Sequence, residues 1–181
     1  VACSRPDRLI FTSGGTEANN LALLGLAEQQ AERGGPRRLI ISAIEHPSVV
    51  GPAEELERRG WQLERLRVDS LGVADLNHLR DLLAEPTALV SVMQGNNETG
   101  VLQPIEEIAK LCAEFGVPLH TDAVQVAGKL PIRFRASGVM ALSIAAHKFH
   151  GPRGIGALLL RPEAQIRPQL HGGFQQDALR P

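Results

Sequence analysis

Residues 9–42 read LIFTSGGTEANNLALLGLAEQQAERGGPRRLIIS. A short apolar run is followed by a Gly-rich turn, a long segment with apolar residues at helical spacing, and a second apolar run rich in Ile and Leu. Strands that are connected by a helix of this length are typical of a sheet with crossover connections. This stretch therefore predicts that the chain belongs to the α/β class.

The rest of the chain repeats the same alternation of strands and helices. Strands are predicted at 9–12, 38–42, 62–66, 88–93, 118–121, 141–145 and 155–160. Helices are predicted at 17–33, 47–59, 75–83 and 104–115. Because no internal repeat and no obvious linker divides the chain, we expect one continuous sheet.

The composition excludes several classes of protein. Lys and Arg total 19 and Asp and Glu total 20 in 181 residues, so the net charge of -1 offers no basic footprint for nucleic acid. A hydrophobic share of 43% and a charged share of 22% are typical of a folded domain rather than a disordered chain. The two cysteines form no disulfide framework or Cys-rich zinc site, and no apolar run is long enough for a membrane span. We therefore expect a cytoplasmic, reducing setting with no nucleic-acid or membrane partner.

Four motifs carry candidate chemistry, and each has an ordinary structural alternative. The turn TSGGTEAN at 12–19 offers backbone N–H groups, a helix N-terminus and the Thr16 hydroxyl to one phosphate, or it is a plain Gly turn with Thr16 as the N-cap. His46 follows a strand at the edge where ligands bind, or it is a structural loop residue. Asp122 ends a strand, and a metal shared with His120 is disfavoured because no further ligand cluster is near in sequence. Lys148 is an amine able to form a Schiff base, or a surface lysine.

Taken together, these motifs describe a binding site for pyridoxal phosphate. This cofactor requires a Lys for a Schiff base, a carboxylate opposite the pyridine nitrogen and a cradle for one phosphate. Lys148, Asp122 and the Gly-rich turn supply these three parts, and His46 is the imidazole available to stack on the ring. The sequence therefore predicts pyridoxal phosphate as the cofactor and no metal site.

The same motifs resemble those of the cysteine desulfurases, in the class V aminotransferase group of fold type I pyridoxal phosphate enzymes. The resemblance runs through FTSGGTEANN (11–20), EHPSV (45–49), NNETG (96–100), HTDAVQ (120–125), HKFHGPRGIG (147–156) and HGG (171–173). It implies a three-layer α/β fold with a mostly parallel, seven-stranded sheet flanked by helices. In that fold, residues 1–160 would form the cofactor-binding large domain, and residues 161–181 would lead toward a small domain outside this chain.

The resemblance also implies an activity and partners. L-cysteine would be converted to L-alanine, and its sulfur would pass to a protein as a persulfide for iron–sulfur cluster or thio-cofactor assembly. The full-length protein is expected to be a homodimer that hands sulfur to acceptor or scaffold proteins. The catalytic cysteine of this family lies in the small domain, so the chain is expected to be a fragment without it.

Four positions are implied to act on the cofactor ring and the substrate. Lys148 would bind the cofactor as a Schiff base and later move the Cα proton of the substrate. His46 would stack on the ring and assist proton transfer. Asp122 would pair with the pyridinium nitrogen, and Gln125 would donate a hydrogen bond to the 3-oxygen of the ring.

Four further positions are implied to hold the rest of the cofactor and the substrate. Thr16, the Gly15 backbone and His147 would bind the phosphate. Asn97 would lie near the ring oxygen and the substrate carboxylate, although the doublet Asn96-Asn97 leaves a one-residue ambiguity.

Several features depart from the family pattern. Ala145 stands where the family usually has a phosphate-binding Ser, and FQQDA at 174–178 replaces the usual Gly-Gln-Glu-Arg-Gly. Cys3 matches no family nucleophile, and Cys112 is expected to be a buried structural thiol in its helix. Three alternatives therefore stay open: a selenocysteine lyase, another class V aminotransferase, and a non-catalytic cofactor-binding domain.

Overall fold

The computed structural model describes residues 7–181. Its strands are β1 (Arg8–Thr12), β2 (Arg38–Ser42), β3 (Gln62–Leu66), β4 (Leu89–Ser91), β5 (Leu119–Asp122), β6 (Ala141–Ala145) and β7 (Gly156–Leu160). Its helices are α1 (Gly15–Glu32), α2 (Pro47–Arg58), α3 (Leu76–Leu83), α4 (Ile105–Glu114) and α5 (Phe134–Ser137), with short 3-10 turns at Ala146–Phe149 and Gln175–Ala178. Within residues 7–181, no helix combines the length and the apolar character that a bilayer crossing requires.

All seven strands form one sheet in the order β1-β7-β6-β5-β4-β2-β3. The strand β7 is antiparallel to both of its neighbours, and the other pairs are parallel. Because β1 and β6 both oppose β7, six strands point the same way and their carboxyl ends share one edge of the sheet. The predicted mostly parallel, seven-stranded sheet is confirmed, and this edge is where α/β proteins bind ligands.

Helices cover both faces of the sheet and create two hydrophobic cores. Ile41 packs with α1 and α2 on one face, whereas its neighbour Ile40 packs with α3 and α4 on the other. Successive strand residues point to opposite faces, so a strand covered on both sides must be apolar throughout. This requirement explains the Leu-Ile-Ile run of β2 and gives the three layers.

The segment that follows β7 crosses α1 at Gly25. A Cβ on Gly25 would lie 2.6 Å from the Arg167 carbonyl oxygen, and the Arg167 N–H donates to the Gly25 oxygen at 3.1 Å. Ala164, Ile166 and Leu179 belong to the same core as α1. The chain after residue 160 is therefore packed onto the sheet domain over this stretch.

The predicted bounds agree with the structure to within two residues, and the differences have local causes. Helix α1 begins at Gly15 because the Ala18 N–H already donates to the Gly14 oxygen at 3.1 Å. Thr16 therefore lies in the first turn of α1, and its alternative role as the N-cap is wrong. The strand β5 runs on to Asp122, which pairs with Ser143 of β6. Helix α5 and the two 3-10 turns were not predicted.

Candidate functional site

A cavity of about 310 Å³ lies at the carboxyl edge of the sheet. All eight predicted site residues line it: Gly15, Thr16, His46, Asn97, Asp122, Gln125, His147 and Lys148. Ser48, Met93, Val124 and Ala145 complete its lining. Residues that are separated by more than a hundred positions in the chain therefore meet in one site, at the low end of the volumes typical of ligand pockets.

Asp122 lies at the end of β5 and is 5% exposed. One carboxylate oxygen accepts the Val124 N–H at 2.9 Å, and the other accepts the Asn19 amide at 2.7 Å. Burial raises the pKa of this carboxyl, while these hydrogen bonds and the nearby His46 and Lys148 lower it. A buried carboxylate that receives neutral donors gains a large advantage from a cationic N–H in the cavity, such as a protonated pyridine nitrogen.

Lys148 lies on the 3-10 turn directly after β6 and is half-buried. The turn ends at His150, which has a φ of 66°, and the Gly151 N–H donates back to the Ala146 oxygen at 2.9 Å. A Cβ on Gly151 would lie 2.7 Å from the Ala146 Cβ, so the tight return of the chain requires glycine at that position. The turn thus holds the Lys148 amine at the cavity.

The turn between β1 and α1 forms the other end of the site. The N–H groups of Gly15 and Thr16 precede the first intrahelical hydrogen bond of α1, and the helix dipole adds partial positive charge there. A Cβ on Gly15 would lie 2.8 Å from Val124 Cγ2, so a side chain at this position would fill the cradle. This end of the cavity suits one phosphate group.

His46 lies at the start of α2 and acts as its N-cap. Its Nδ1 accepts the Ser48 N–H at 3.1 Å and lies 2.7 Å from Ser48 Oγ. Pro47 occupies the first turn of α2, where its missing N–H costs little. The imidazole is therefore held at the cavity by the backbone of the helix that it caps.

The structure separates the two asparagines of the doublet. The Asn96 side chain builds the loop: its oxygen accepts the N–H groups of Glu98 and Thr99 at 2.9 Å, and its amide donates to the Ile44 oxygen. Asn97 lines the cavity instead. This placement favours Asn97 for the predicted role near the ring and the substrate.

His120 does not line the cavity. Its ring is fully buried, with Nδ1 at 2.9 Å from Ser91 Oγ and Nε2 at 3.0 Å from Ser143 Oγ. Burial lowers the pKa of His120 to about 3, so the imidazole is neutral. It joins β4, β5 and β6, and no three His, Cys, Asp or Glu side chains within residues 7–181 converge as a metal ion would require.

Cys112 is 1% exposed in α4, as expected for a structural thiol. Burial raises the pKa of this thiol to about 12, so it is not a thiolate at neutral pH. Cys3 lies outside the described residues. Cys112 is therefore not the sulfur nucleophile.

Sequence reasoning missed two buried groups beside the site. Asn19 is fully buried in α1 and donates to Asp122. Glu45 is 9% exposed, accepts the Ser42 hydroxyl at 2.5 Å and the Met93 N–H at 2.7 Å, and so joins the ends of β2 and β4. Both residues stand inside the quoted motifs, and a charged residue three positions after a buried strand was the available signal for Glu45.

The residues present fit pyridoxal phosphate. The cavity combines a buried carboxylate with neutral hydrogen-bond donors, an amine on an adjacent turn and a helix N-terminus whose first residue is glycine. These are the three chemical partners that this cofactor requires.

Comparisons with known proteins find relatives and similar structures. The cysteine desulfurase IscS of Dictyoglomus turgidum is 42% identical over 174 residues, which are 96% of this chain and 44% of that protein. A solved structure called NifS-like protein has a TM-score of 0.91 and 39% identity, and covers 96% of this chain and 48% of that one. A structure described as SspA in complex with cysteine has a TM-score of 0.89 and 37% identity, and covers 95% of this chain and 50% of that one.

The chain spans less than half the length of the curated relatives that it matches. The family model Aminotransferase class-V matches residues 1–180, which is nearly the whole chain. The resemblance carried by the motifs is thereby confirmed: the chain belongs to the class V aminotransferase family.

Proposed function

We propose that this chain is the pyridoxal phosphate-binding part of a cysteine desulfurase. The observation that carries the proposal is the convergence of Asp122, Lys148 and the start of α1 on one cavity. Support for the substrate class comes from the relatives, which are named cysteine desulfurases, and from the similar protein SspA, which binds cysteine.

The side chains around the ring would each have a separate role in the reaction. When bound, pyridoxal phosphate supplies an electron sink for the pair left at the substrate Cα when its proton departs. Asp122 would keep the ring nitrogen protonated, and Gln125 would donate to the ring 3-oxygen. Lys148 would attach the cofactor covalently and, once released by the substrate amine, its Nζ would take and return the Cα proton.

The remaining predicted residues would position the two ligands. The N–H groups of Gly15 and Thr16, the Thr16 hydroxyl and His147 would hold the phosphate. His46 would lie on the ring face, and Asn97 would bind near the ring oxygen and the substrate carboxylate.

The full-length protein would convert L-cysteine to L-alanine and pass the sulfur to a protein thiol as a persulfide. Because Cys112 is buried, the attacking thiolate would come from a part of the protein other than α4. We propose that the full-length protein is a cytoplasmic homodimer that delivers sulfur to acceptor proteins of iron–sulfur cluster or thio-cofactor assembly. Residues 161–181 would connect the large domain, residues 1–160, to the domain that carries the nucleophile.

One observation favours a second, narrower function for the 181-residue chain itself. Cys112 is its single cysteine within residues 7–181, and it is inaccessible. Residues 7–181 would then bind the cofactor without supplying the thiolate for sulfur transfer.

Cofactor binding tests the proposed site directly. We expect the chain to give a yellow absorbance band with pyridoxal phosphate, and borohydride to fix the cofactor on Lys148, as read by mass spectrometry of the peptides. Lys148→Ala should abolish both signals, whereas Lys110→Ala, on the exposed side of α4, should leave both unchanged. Labelling that is equal in the two variants would contradict the proposal.

The substrate is tested on the full-length protein. Alanine release from L-cysteine would support the desulfurase. Alanine release from L-selenocysteine alone would identify a selenocysteine lyase instead, and amino transfer to a keto acid would identify another class V aminotransferase.

A further inference from the structure

A chain of hydrogen bonds, buried from Asp122 to Ser48, joins Asp122 to His46. The proposed function gives no role to the two side chains between them. Asn19 Nδ2 donates to Asp122 Oδ2 at 2.7 Å and to Ser48 Oγ at 2.8 Å. Ser48 Oγ in turn lies 2.7 Å from His46 Nδ1. Asn19, Ser48 and Asp122 are 0%, 7% and 5% exposed, so water is excluded from the two Asn19 contacts, whereas the His46 end of the chain is open to solvent.

The direction of each hydrogen bond follows from the groups available. An amide nitrogen carries two hydrogens and no acceptor, so Asn19 Nδ2 donates to both of its partners. Turning the amide around would place its oxygen against the Asp122 carboxylate oxygen, acceptor against acceptor. Ser48 Oγ therefore accepts from Asn19, and its own hydrogen is left for His46 Nδ1.

A second donor at the same nitrogen fixes the position of the ring proton of His46. The Ser48 backbone N–H donates to Nδ1 at 3.1 Å, and a backbone N–H can never accept. Nδ1 must therefore present a lone pair to both the N–H and the hydroxyl of Ser48. In a neutral imidazole, the single proton then lies on Nε2.

We propose that Asn19 and Ser48 are positioning residues that hold His46 as the Nε2-protonated tautomer and tie its ring to Asp122. Nδ1 is used by Ser48, so Nε2 is the ring nitrogen available to a ligand in the cavity that His46 lines. The cavity therefore receives a hydrogen-bond donor from His46 rather than a base.

For the reaction, this consequence rests on the proposed function. With a proton on Nε2, His46 can donate to a lone pair of the substrate, but it can accept a proton only at Nδ1, where the contact with the Ser48 N–H must break and the Ser48 hydroxyl must turn its hydrogen away. Removal of the Cα proton is then left to Lys148 alone. His46 would hold and orient the substrate instead of sharing that step.

The tautomer can be measured without cofactor or substrate. In the 181-residue chain labelled with ¹⁵N at histidine, long-range ¹H–¹⁵N correlation distinguishes protonated from unprotonated ring nitrogens, and His46→Gln identifies the signals of His46. We expect Nδ1 of His46 to be unprotonated and Nε2 to be protonated. A proton on Nδ1, or an even mixture of the two tautomers, would overturn the proposal.

Variants at Ser48 then separate positioning from folding. Ser48→Ala loses one hydrogen bond to Nδ1, so the ratio of the Nε2-protonated to the Nδ1-protonated tautomer should fall about fivefold. Ser48→Thr keeps the hydroxyl and should keep the native ratio. Ser70→Ala, at an exposed serine, is the matched control. An unchanged ratio in folded Ser48→Ala would overturn the role of Ser48, and the wild-type measurement decides the tautomer even if that variant does not fold. A chain that shows the expected tautomer but no cofactor band would contradict the proposed function and leave the tautomer established.

Discussion

At the scale of single residues, Ala145 offers a direct test of the proposed phosphate site at its end of the cavity. It is fully buried at the end of β6, lines the cavity and lies 3.4 Å from the position that a Cβ on Gly15 would take. A serine there adds one hydroxyl donor beside the phosphate cradle, and one hydrogen bond is worth about 1 kcal/mol. We expect Ala145→Ser to bind pyridoxal phosphate about fivefold more tightly in an equilibrium titration.

The control for this change is Ala113→Ser, which adds the same hydroxyl on the exposed face of α4 and should leave the affinity unchanged. Unchanged or weaker cofactor binding by Ala145→Ser would show that the hydroxyl does not reach the phosphate.

The residues of the site differ in how far the sequence alone could identify them. Lys148, Asp122 and His46 each lie at or shortly after the carboxyl end of a strand, and their combination fits one cofactor, so spacing and residue type led to their prediction. Asn19 acts through Asp122, which is 103 positions away in the chain, and no local pattern reveals such a pair. The choice between Asn96 and Asn97 likewise required the loop geometry, because it depends on which side chain closes the turn.

At the scale of elements, the turn at Gln175–Ala178 carries backbone strain that a single substitution should relieve. Gln176, Asp177 and Ala178 have φ values of 48°, 59° and 57°, a left-handed conformation that costs about 1 to 2 kcal/mol for each residue with a Cβ. Ala178 is exposed. We expect Ala178→Gly to raise the free energy of unfolding by up to about 1 kcal/mol and the Tm by about 2 to 4 °C.

Thermal unfolding followed by circular dichroism measures this effect. The matched control is Ala113→Gly in the right-handed helix α4, which should lower the stability by about 1 kcal/mol because glycine loses more backbone freedom there. If Ala178→Gly destabilises the chain as Ala113→Gly does, the left-handed turn does not store strain.

Long helices and strands could be predicted from the sequence, whereas elements of about four residues could not. The 18 residues of α1 can be predicted from the length of the apolar segment, and β2 can be predicted from its short run of Leu and Ile. Helix α5 has four residues and the turn that carries Lys148 also has four, which is too short for any periodicity to show. The 3-10 turn matters for function, because it places the Lys148 amine beside the end of β6.

At the scale of the whole molecule, the layers follow from alternating burial, but the strand order does not. Ile40 and Ile41 pack into opposite cores, so the sequence of β2 already implies cover on both faces. The order β1-β7-β6-β5-β4-β2-β3 depends on pairings between strands far apart in the chain. No single segment of the sequence shows which strand it pairs with, so the segments by themselves predict only one continuous sheet. The seven-stranded, mostly parallel form was implied by the family resemblance.

Two buried groups make the stability of the whole chain depend on pH in opposite directions. Burial raises the pKa of Glu45 from 4.5 to about 8, so its stabilising contribution is complete below pH 4.5 and is lost as the pH rises toward 8. Burial lowers the pKa of His120 from 6.5 to about 3, so its contribution is complete above pH 6.5 and is lost as the pH falls toward 3. Between pH 4.5 and 6.5 the two slopes oppose each other, and of these two groups only Glu45 contributes a slope above pH 6.5.

We therefore expect the free energy of unfolding to fall by about 2 kcal/mol between pH 6.5 and 8, since each pH unit contributes up to about 1.4 kcal/mol. Glu45→Gln should remove this fall, because the glutamine oxygen still accepts from Ser42 and Met93 but binds no proton. Urea unfolding at the two pH values measures the difference, and Glu98→Gln, at an exposed position, should keep the wild-type fall. Equal falls in Glu45→Gln and Glu98→Gln would mean that Glu45 is already ionised at pH 6.5, which its burial beside Asp122 opposes.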